Sequence, residues 1–356
     1  MKLFDVGAWR PATDDARLSA ANDLVQRTLA RHGLASQSGT AQPGGITMDD
    51  MLARLSQLHS PTAAAQPKIP EGAQFLQNTY ACDAGTRAYW IYTPTSALEG
   101  TTGVVMMLHG CTQTPVDFAA GTGMNRLADQ HGFAVIYPAQ SRGDNAQSCW
   151  NWFSRGDQRR GRGEPAILAG LAAQVAADHG VDKEQTFVAG LSAGGAMAAI
   201  LGETYPDVFA AVGAHSGLPV GAAKDVPSAF AAMGGTVLEA SGKVEGGSGV
   251  RTVVFHGSAD ATVHPKNGDR IVQRAMDVVG GQSVETTERG AVNGRAYTRK
   301  IIRDDMGVGV VEHWRIDGQG HAWSGGTAAG SYTDPQGPDA SAEMIRFFFR
   351  AAAEVG

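Results

Sequence analysis

Hydrophobic positions beyond residue 71 fall into short runs separated by stretches of helical spacing. Residues 104–108 form an unbroken apolar run, and 186–189 read as a second strand buried on both faces. Residues 87–92 alternate with the period of a strand, and 133–137, 209–214, 252–255 and 310–316 supply further ones. Helical spacing predicts helices over 119–131, 164–179, 266–279 and 340–353, with another opening just after Ser192. Strands alternating with helices on this scale predict an α/β fold, a mostly parallel sheet covered by helices on both faces. Ligands in such sheets bind at the carboxyl ends of the strands. No internal repeat is visible.

The first 70 residues follow a different pattern. Leu18, Ala21, Val25 and Leu29 recur at helical spacing behind Asp14 and Asp15, which favour a positive helix start. A polar stretch over 35–45 follows, and Thr47 with Asp50 makes a capping-box-like opening to a helix reaching Leu58. Residues 1–70 are therefore expected to be a helical N-terminal extension with linkers, and 71–356 the α/β domain.

Composition narrows the function classes. The 356 residues are 43% hydrophobic, enough for one large core, and carry a net charge of −6. Lys and Arg are scattered, so neither a nucleic-acid partner nor an anionic membrane surface is expected. The apolar stretches fall short of the ~20 residues that span a bilayer. Met1-Lys2-Leu3-Phe4-Asp5 carries an acid early and no apolar h-region, so no secretory signal is read there. The 47 glycines suit an enzyme with many tight turns, and the three cysteines, Cys82, Cys111 and Cys149, match no zinc spacing. No metal and no cofactor is expected. Oligomeric state is not legible.

Chemistry concentrates around Gly190-Leu191-Ser192-Ala193-Gly194, which lies between the 186–189 strand and an alanine-rich helical pattern. A serine hydroxyl is a poor nucleophile until it is lifted clear of the backbone and given a base. Flanking glycines allow the sharp strand-to-helix turn that does this. The base and its orienting carboxylate follow in the order acid, then histidine. His321 sits in a glycine-flanked loop past the 310–316 strand and is the expected base, whereas His313 reads as an ordinary strand residue. Asp260, in the loop leaving the 252–255 strand, is the expected orienter; Asp207, Asp225, Asp269 and Asp277 occupy helical or turn contexts.

Acyl transfer also needs donors for the developing oxyanion. The Ala193 N–H is one candidate, and Cys111 N–H, in the loop His109-Gly110-Cys111-Thr112-Gln113, is the second. The aromatic cluster Ser148-Cys149-Trp150-Asn151-Trp152-Phe153, with His109 and Trp323, is read as a substrate pocket wall. Cys111 and Cys149 both belong near this site. They are either bridged, which would brace the two loops and imply an oxidising compartment, or two buried thiols.

Together the segments 109–113, 148–153, 190–195, 256–260 and 320–326 resemble the poly(3-hydroxybutyrate) depolymerase-like esterases, α/β-hydrolases that include feruloyl and acetylxylan esterases. The resemblance covers about residues 75–350. It implies Ser192, Asp260 and His321 as the triad, Cys111 at the oxyanion hole, and an extracellular place of work. The function it implies is a serine esterase cleaving polyester or its oligomers through an acyl-enzyme. A carbohydrate esterase for feruloyl or acetyl groups is the alternative, and a non-catalytic binding protein on a hydrolase scaffold a minor one.

Overall fold

The structure, a computed structural model, describes residues 69–236, 249–279 and 283–349. Residues 1–68 of the expected N-terminal extension and 350–353 of the last predicted helix lie outside the described residues.

Strands β1 (Gln74–Cys82), β2 (Gly85–Thr93), β3 (Val104–Leu108), β4 (Ala134–Pro138), β5 (Thr186–Leu191), β6 (Ala211–His215), β7 (Arg251–Gly257), β8 (Val284–Val292), β9 (Arg295–Arg303) and β10 (Gly309–Ile316) form one sheet. Their spatial order is β1-β2-β4-β3-β5-β6-β7-β10-β9-β8. From β4 through β10 in that order, neighbours pair in parallel. The pairs β1–β2, β2–β4, β9–β10 and β8–β9 are antiparallel. The sheet is thus mostly parallel, as expected. The antiparallel edges β1, β8 and β9 were not anticipated.

Every residue of β3, β4 and β5 is buried, the signature of strands covered on both faces. Successive side chains enter opposite cores. Val104, Met106 and Leu108 pack with Leu168 and Leu171 of α3 (Gly163–Asp178) and Met197 and Ile200 of α4 (Ala193–Thr204). Val105 and Met107 pack instead with Phe118 of α1 (Pro115–Thr122), Leu127 of α2 (Met124–His131) and Phe348 of α7 (Ala340–Phe349). Helix α6 (Lys266–Val279) adds Ile271 and Val272 against Val254 and Val311. A short helix, α5 (Val226–Met233), sits between β6 and β7.

The single helix expected over 119–131 is two. Gly123 adopts φ +65°, a left-handed conformation that ends α1 and leads directly into α2. No helix among the described residues is long and apolar enough to cross a membrane.

Candidate active site

Ser192 occupies the turn between β5 and α4 with φ +57° and ψ −118°. A side-chain-bearing residue rarely adopts this conformation, at a cost of roughly 1–3 kcal/mol. Packing over-determines it. A Cβ on Gly194 would lie 2.0 Å from the Leu108 carbonyl oxygen, and one on Gly190 2.4 Å from the Gly194 carbonyl. Only glycine lets the helix start press this closely on β3 and β5. The Ser192 N–H donates to the His215 carbonyl at 2.9 Å. Its hydroxyl makes no hydrogen bond among the described residues. Ala193 is the first residue of α4, so its N–H lacks an intrahelical partner.

Asp260 and His321 are brought together. His321 Nδ1 donates to Asp260 Oδ2 at 2.7 Å. Asp260 Oδ1 accepts the Thr262 and Val263 N–H groups at 2.9 and 2.8 Å. Burial alone would favour the neutral acid. The neighbouring His321, together with hydrogen bonds from His256 and His321, outweighs it and holds the carboxyl well below its ordinary range. An ionised Asp260 accepts only, so the proton stays on Nδ1 and His321 Nε2 is left to act. The loops carrying the pair are stitched together: Ala259 N–H donates to the Gln319 carbonyl at 3.0 Å, and Gly318 N–H to Ser258 Oγ at 2.9 Å. Ser192, Asp260 and His321 thus follow β5, β7 and β10 at the same, carboxyl, end of parallel strands.

Cys111 follows β3 in a loop held from three sides. Gly110 N–H donates to Gln113 Oε1 at 2.9 Å, and Thr112 N–H to the Gln147 carbonyl at 2.8 Å. Cys111 is bonded to Cys149, 38 residues on, by a disulfide. The Cys111 N–H itself is given to no acceptor among the described residues. A Cβ on Gly110 would sit 3.7 Å from Ser192 Cβ, which places this loop beside the serine.

Residues that the sequence did not single out complete the frame. Gln113 Nε2 donates to Asp117 Oδ2 and to the Ser331 carbonyl, each at 3.0 Å, and Ser331 N–H donates to Asp117 Oδ1 at 2.9 Å. The loop after β3 is thereby tied to the chain that follows His321. His215 Nε2 accepts the Ser324 N–H at 3.0 Å. The pairs Gln113–Ser331, Asp117–Ser331 and His215–Ser324 are 109 to 218 residues apart, so no local pattern could announce them.

His109, Trp150, Asn151, Trp152 and Trp323, expected from the sequence to wall a substrate pocket, also brace the surrounding loops. His109, Trp150 and Trp323 are 1%, 0% and 1% exposed, and Trp152 is buried as well. Both fully buried indole N–H groups are committed, Trp150 to the His109 carbonyl at 3.0 Å and Trp323 to Ser341 Oγ at 3.1 Å. His109 Nε2 accepts the Gln140 N–H at 3.2 Å, and burial pushes its pKa down to about 4, so it stays neutral. Asn151 gives its backbone N–H and its Nδ2 to Glu164 at 2.7 and 2.9 Å. Glu164 also receives Gln140 Nε2, while buried Arg87 reaches Gln140 and Asp144. These side chains hold the Cys149 loop from behind. Among the described residues, no group of three or more His, Cys, Asp or Glu side chains is placed to hold a metal.

Known proteins share this arrangement's sequence. A family profile described as esterase PHB depolymerase matches residues 87–298, more than half of the chain. Poly(3-hydroxyalkanoate) depolymerase C of Paucimonas lemoignei is 33% identical over 236 residues, 64% of this chain and 56% of that protein. A poly(3-hydroxybutyrate) depolymerase of Ralstonia pickettii is 29% identical over 296 residues, 76% of this chain and 58% of that protein. A probable acetylxylan esterase A of Aspergillus flavus is 30% identical over 207 residues, 54% of this chain and 66% of that protein. The chain thus spans a little over half the length of the two depolymerases. Among solved structures, an acetyl xylan esterase from Aspergillus awamori aligns with a TM-score of 0.62 at 23% identity, covering 78% of this chain and 98% of that one. That likeness shows the α/β-hydrolase fold. The matched span carries the Cys111 loop, the Ser192 turn and the Asp260 loop, and the chain belongs to the esterase PHB depolymerase family.

Proposed function

We propose that the chain is a serine esterase that hydrolyses esters of the poly(3-hydroxybutyrate) type, as polymer or oligomer, through an acyl-enzyme on Ser192. The observation that supports this most is the 2.7 Å bond from His321 Nδ1 to Asp260, which leaves Nε2 outside that bond at the carboxyl strand ends where Ser192 also lies. Hydrogen bonds between nucleophile and base are often long in resting enzymes and tighten with substrate.

In this reading Ser192 Oγ attacks the ester carbonyl carbon while His321 Nε2 takes the hydroxyl proton. The carbonyl oxygen becomes an oxyanion and receives the Ala193 and Cys111 N–H groups. Collapse breaks the bond to the alkoxy oxygen, which leaves as the alcohol with the proton from His321. Water, deprotonated by His321, then attacks the acyl-enzyme, and the second collapse releases the acid and returns the proton to Ser192. Asp260 remains charged throughout and stabilises the imidazolium. The disulfide at Cys111 supports a place of work outside the reducing cytosol.

The test is a panel of p-nitrophenyl butyrate, 3-hydroxybutyrate oligomers and polymer film, run on the parent and Ser192→Ala. The expected result is turnover by the parent and its loss in Ser192→Ala. Activity of the variant within tenfold of the parent defeats the assignment. The similarity to an acetylxylan esterase supports a second reading, a carbohydrate esterase. A higher kcat/KM on acetylated xylan or methyl ferulate than on hydroxybutyrate oligomers would select it.

A further inference from the structure

We infer that His215 is a positioning residue for the base: its imidazole accepts the Ser324 N–H and thereby sets the loop from which His321 works. The inference rests on the serine-esterase reading above.

His215 ends β6, the strand between the one that delivers Ser192 and the one that leads to Asp260. It touches both the serine turn and the loop after His321. Its carbonyl accepts the Ser192 N–H at 2.9 Å, and its Nε2 accepts the Ser324 N–H at 3.0 Å. Only Ala322 and Trp323 separate Ser324 from His321, so a shift of that amide is carried almost directly to the base. An Nε2 that accepts places the ring proton on Nδ1, which faces Ser216 Oγ at 3.2 Å.

The ring has little freedom to do anything else. It is fully buried and lies between two aromatic rings, Phe255 with centroids 5.8 Å apart at 14° and Trp323 at 5.1 Å and 26°. Trp323 is anchored in turn by Ser341, whose hydroxyl donates to the Thr122 carbonyl at 2.8 Å. Protonation would convert the acceptor into a donor facing an N–H. Burial, with His256 and His321 close by, pushes the His215 pKa down to about 3, so the accepting form persists wherever the enzyme works. A buried histidine that only filled space would need no acceptor aimed at this one amide.

Glutamine and methionine at position 215 match in length and differ in whether an acceptor oxygen is offered. The experiment compares His215→Gln and His215→Met with the parent on p-nitrophenyl butyrate. Circular dichroism and Tm verify folding, and hydrogen exchange follows the 321–326 peptide. A displacement of about 1 Å at a catalytic group costs on the order of 10²-fold. The expected result is a kcat loss of roughly 30- to 100-fold in His215→Met, with KM within about threefold and faster exchange at 321–326. His215→Gln should recover at least about tenfold of that loss and keep the peptide protected. The proposal is overturned if folded His215→Met stays within about threefold of the parent in kcat, or if folded Gln and Met variants fall equally. Should His215→Met not fold, the parent decides: a Ser324 amide exchanging at the rate of an exposed loop overturns the contact, and a protected one, with kcat retained in His215→Gln, upholds it. Labelling of the parent by a fluorophosphonate at Ser192 separates the two claims. If it fails, the esterase reading falls, whereas exchange at Ser324 still reports on His215.

Discussion

His321 Nδ1 and Asp260 Oδ2 lie 2.7 Å apart, and the other oxygen of that carboxylate is filled by two backbone N–H groups. The carboxylate therefore cannot rotate away from the imidazole without losing three hydrogen bonds. Replacing it with an amide keeps the shape but offers the imidazole the wrong tautomer. Asp260→Asn should lower kcat by about 10³–10⁴-fold with KM little changed. Steady-state kinetics on p-nitrophenyl butyrate tests this, and a loss below tenfold would remove Asp260 from the mechanism.

The disulfide from Cys111 to Cys149 closes a loop of 38 residues, which loop-entropy arguments convert to about 4 kcal/mol at most. Cys149→Ala should lower unfolding stability by roughly 2–4 kcal/mol in urea. It should also reduce kcat at least about tenfold, because Cys111 N–H is proposed to face the oxyanion and one such donor is typically worth 10²–10³-fold. Full activity with lowered stability would show that the Cys111 amide does not need the bridge.

Gly194 and Gly309 should respond oppositely to alanine. At Gly194 the new Cβ would sit 2.0 Å from a backbone oxygen of β3, which cannot give way, so Gly194→Ala should cost more than about 4 kcal/mol or fail to fold. At Gly309 nothing lies within 4 Å and the backbone is ordinary, so alanine there should stay within about 1 kcal/mol of the parent. Thermal denaturation of the pair tests the claim that the elbow is held by backbone contact.

Glu164 gives the fold a pH dependence of known sign. Burial pushes its pKa from 4.5 up to about 7, against the opposing hydrogen bonds from Asn151 and Gln140 and the nearby Arg87. The folded state then holds this proton more tightly than the unfolded chain. Its contribution is complete below the unfolded value and is lost as pH rises through about 7. Tm should fall between pH 5 and pH 8, and Glu164→Gln should flatten that part of the profile. An unchanged slope in the variant would assign the effect to another group.

The central strands were legible because β3 and β5 are covered on both faces and their apolar runs are continuous. The motifs at their ends were legible for a related reason: glycines and a serine between a buried strand and a helix have few other uses. The edges were not. Strand β8 exposes Glu285, Thr286, Thr287, Glu288 and Arg289 alike, so it carries no alternation of polar and apolar residues to read. Helices α1 and α2 read as continuous because helical spacing carries on across residue 123; the left-handed conformation that glycine commonly supplies at a helix end breaks it there. Trp150 and Trp323 were read by their bulk and aromatic company. Their place is decided by the partners of their indole N–H groups, the His109 carbonyl just after β3 and Ser341 on α7, 41 and 18 residues away.

The clamp between Gln113 and Ser331 spans 218 residues, and Thr112 meets Tyr332 across 220. Contacts of such span form late, since the intervening chain must be ordered before they are rewarded. During synthesis, then, the serine turn is made long before anything can tie its neighbouring loop in place. A nascent chain halted before Ser331 should carry the serine turn without this tie, so the proposed ester cleavage should wait until residue 331 has emerged.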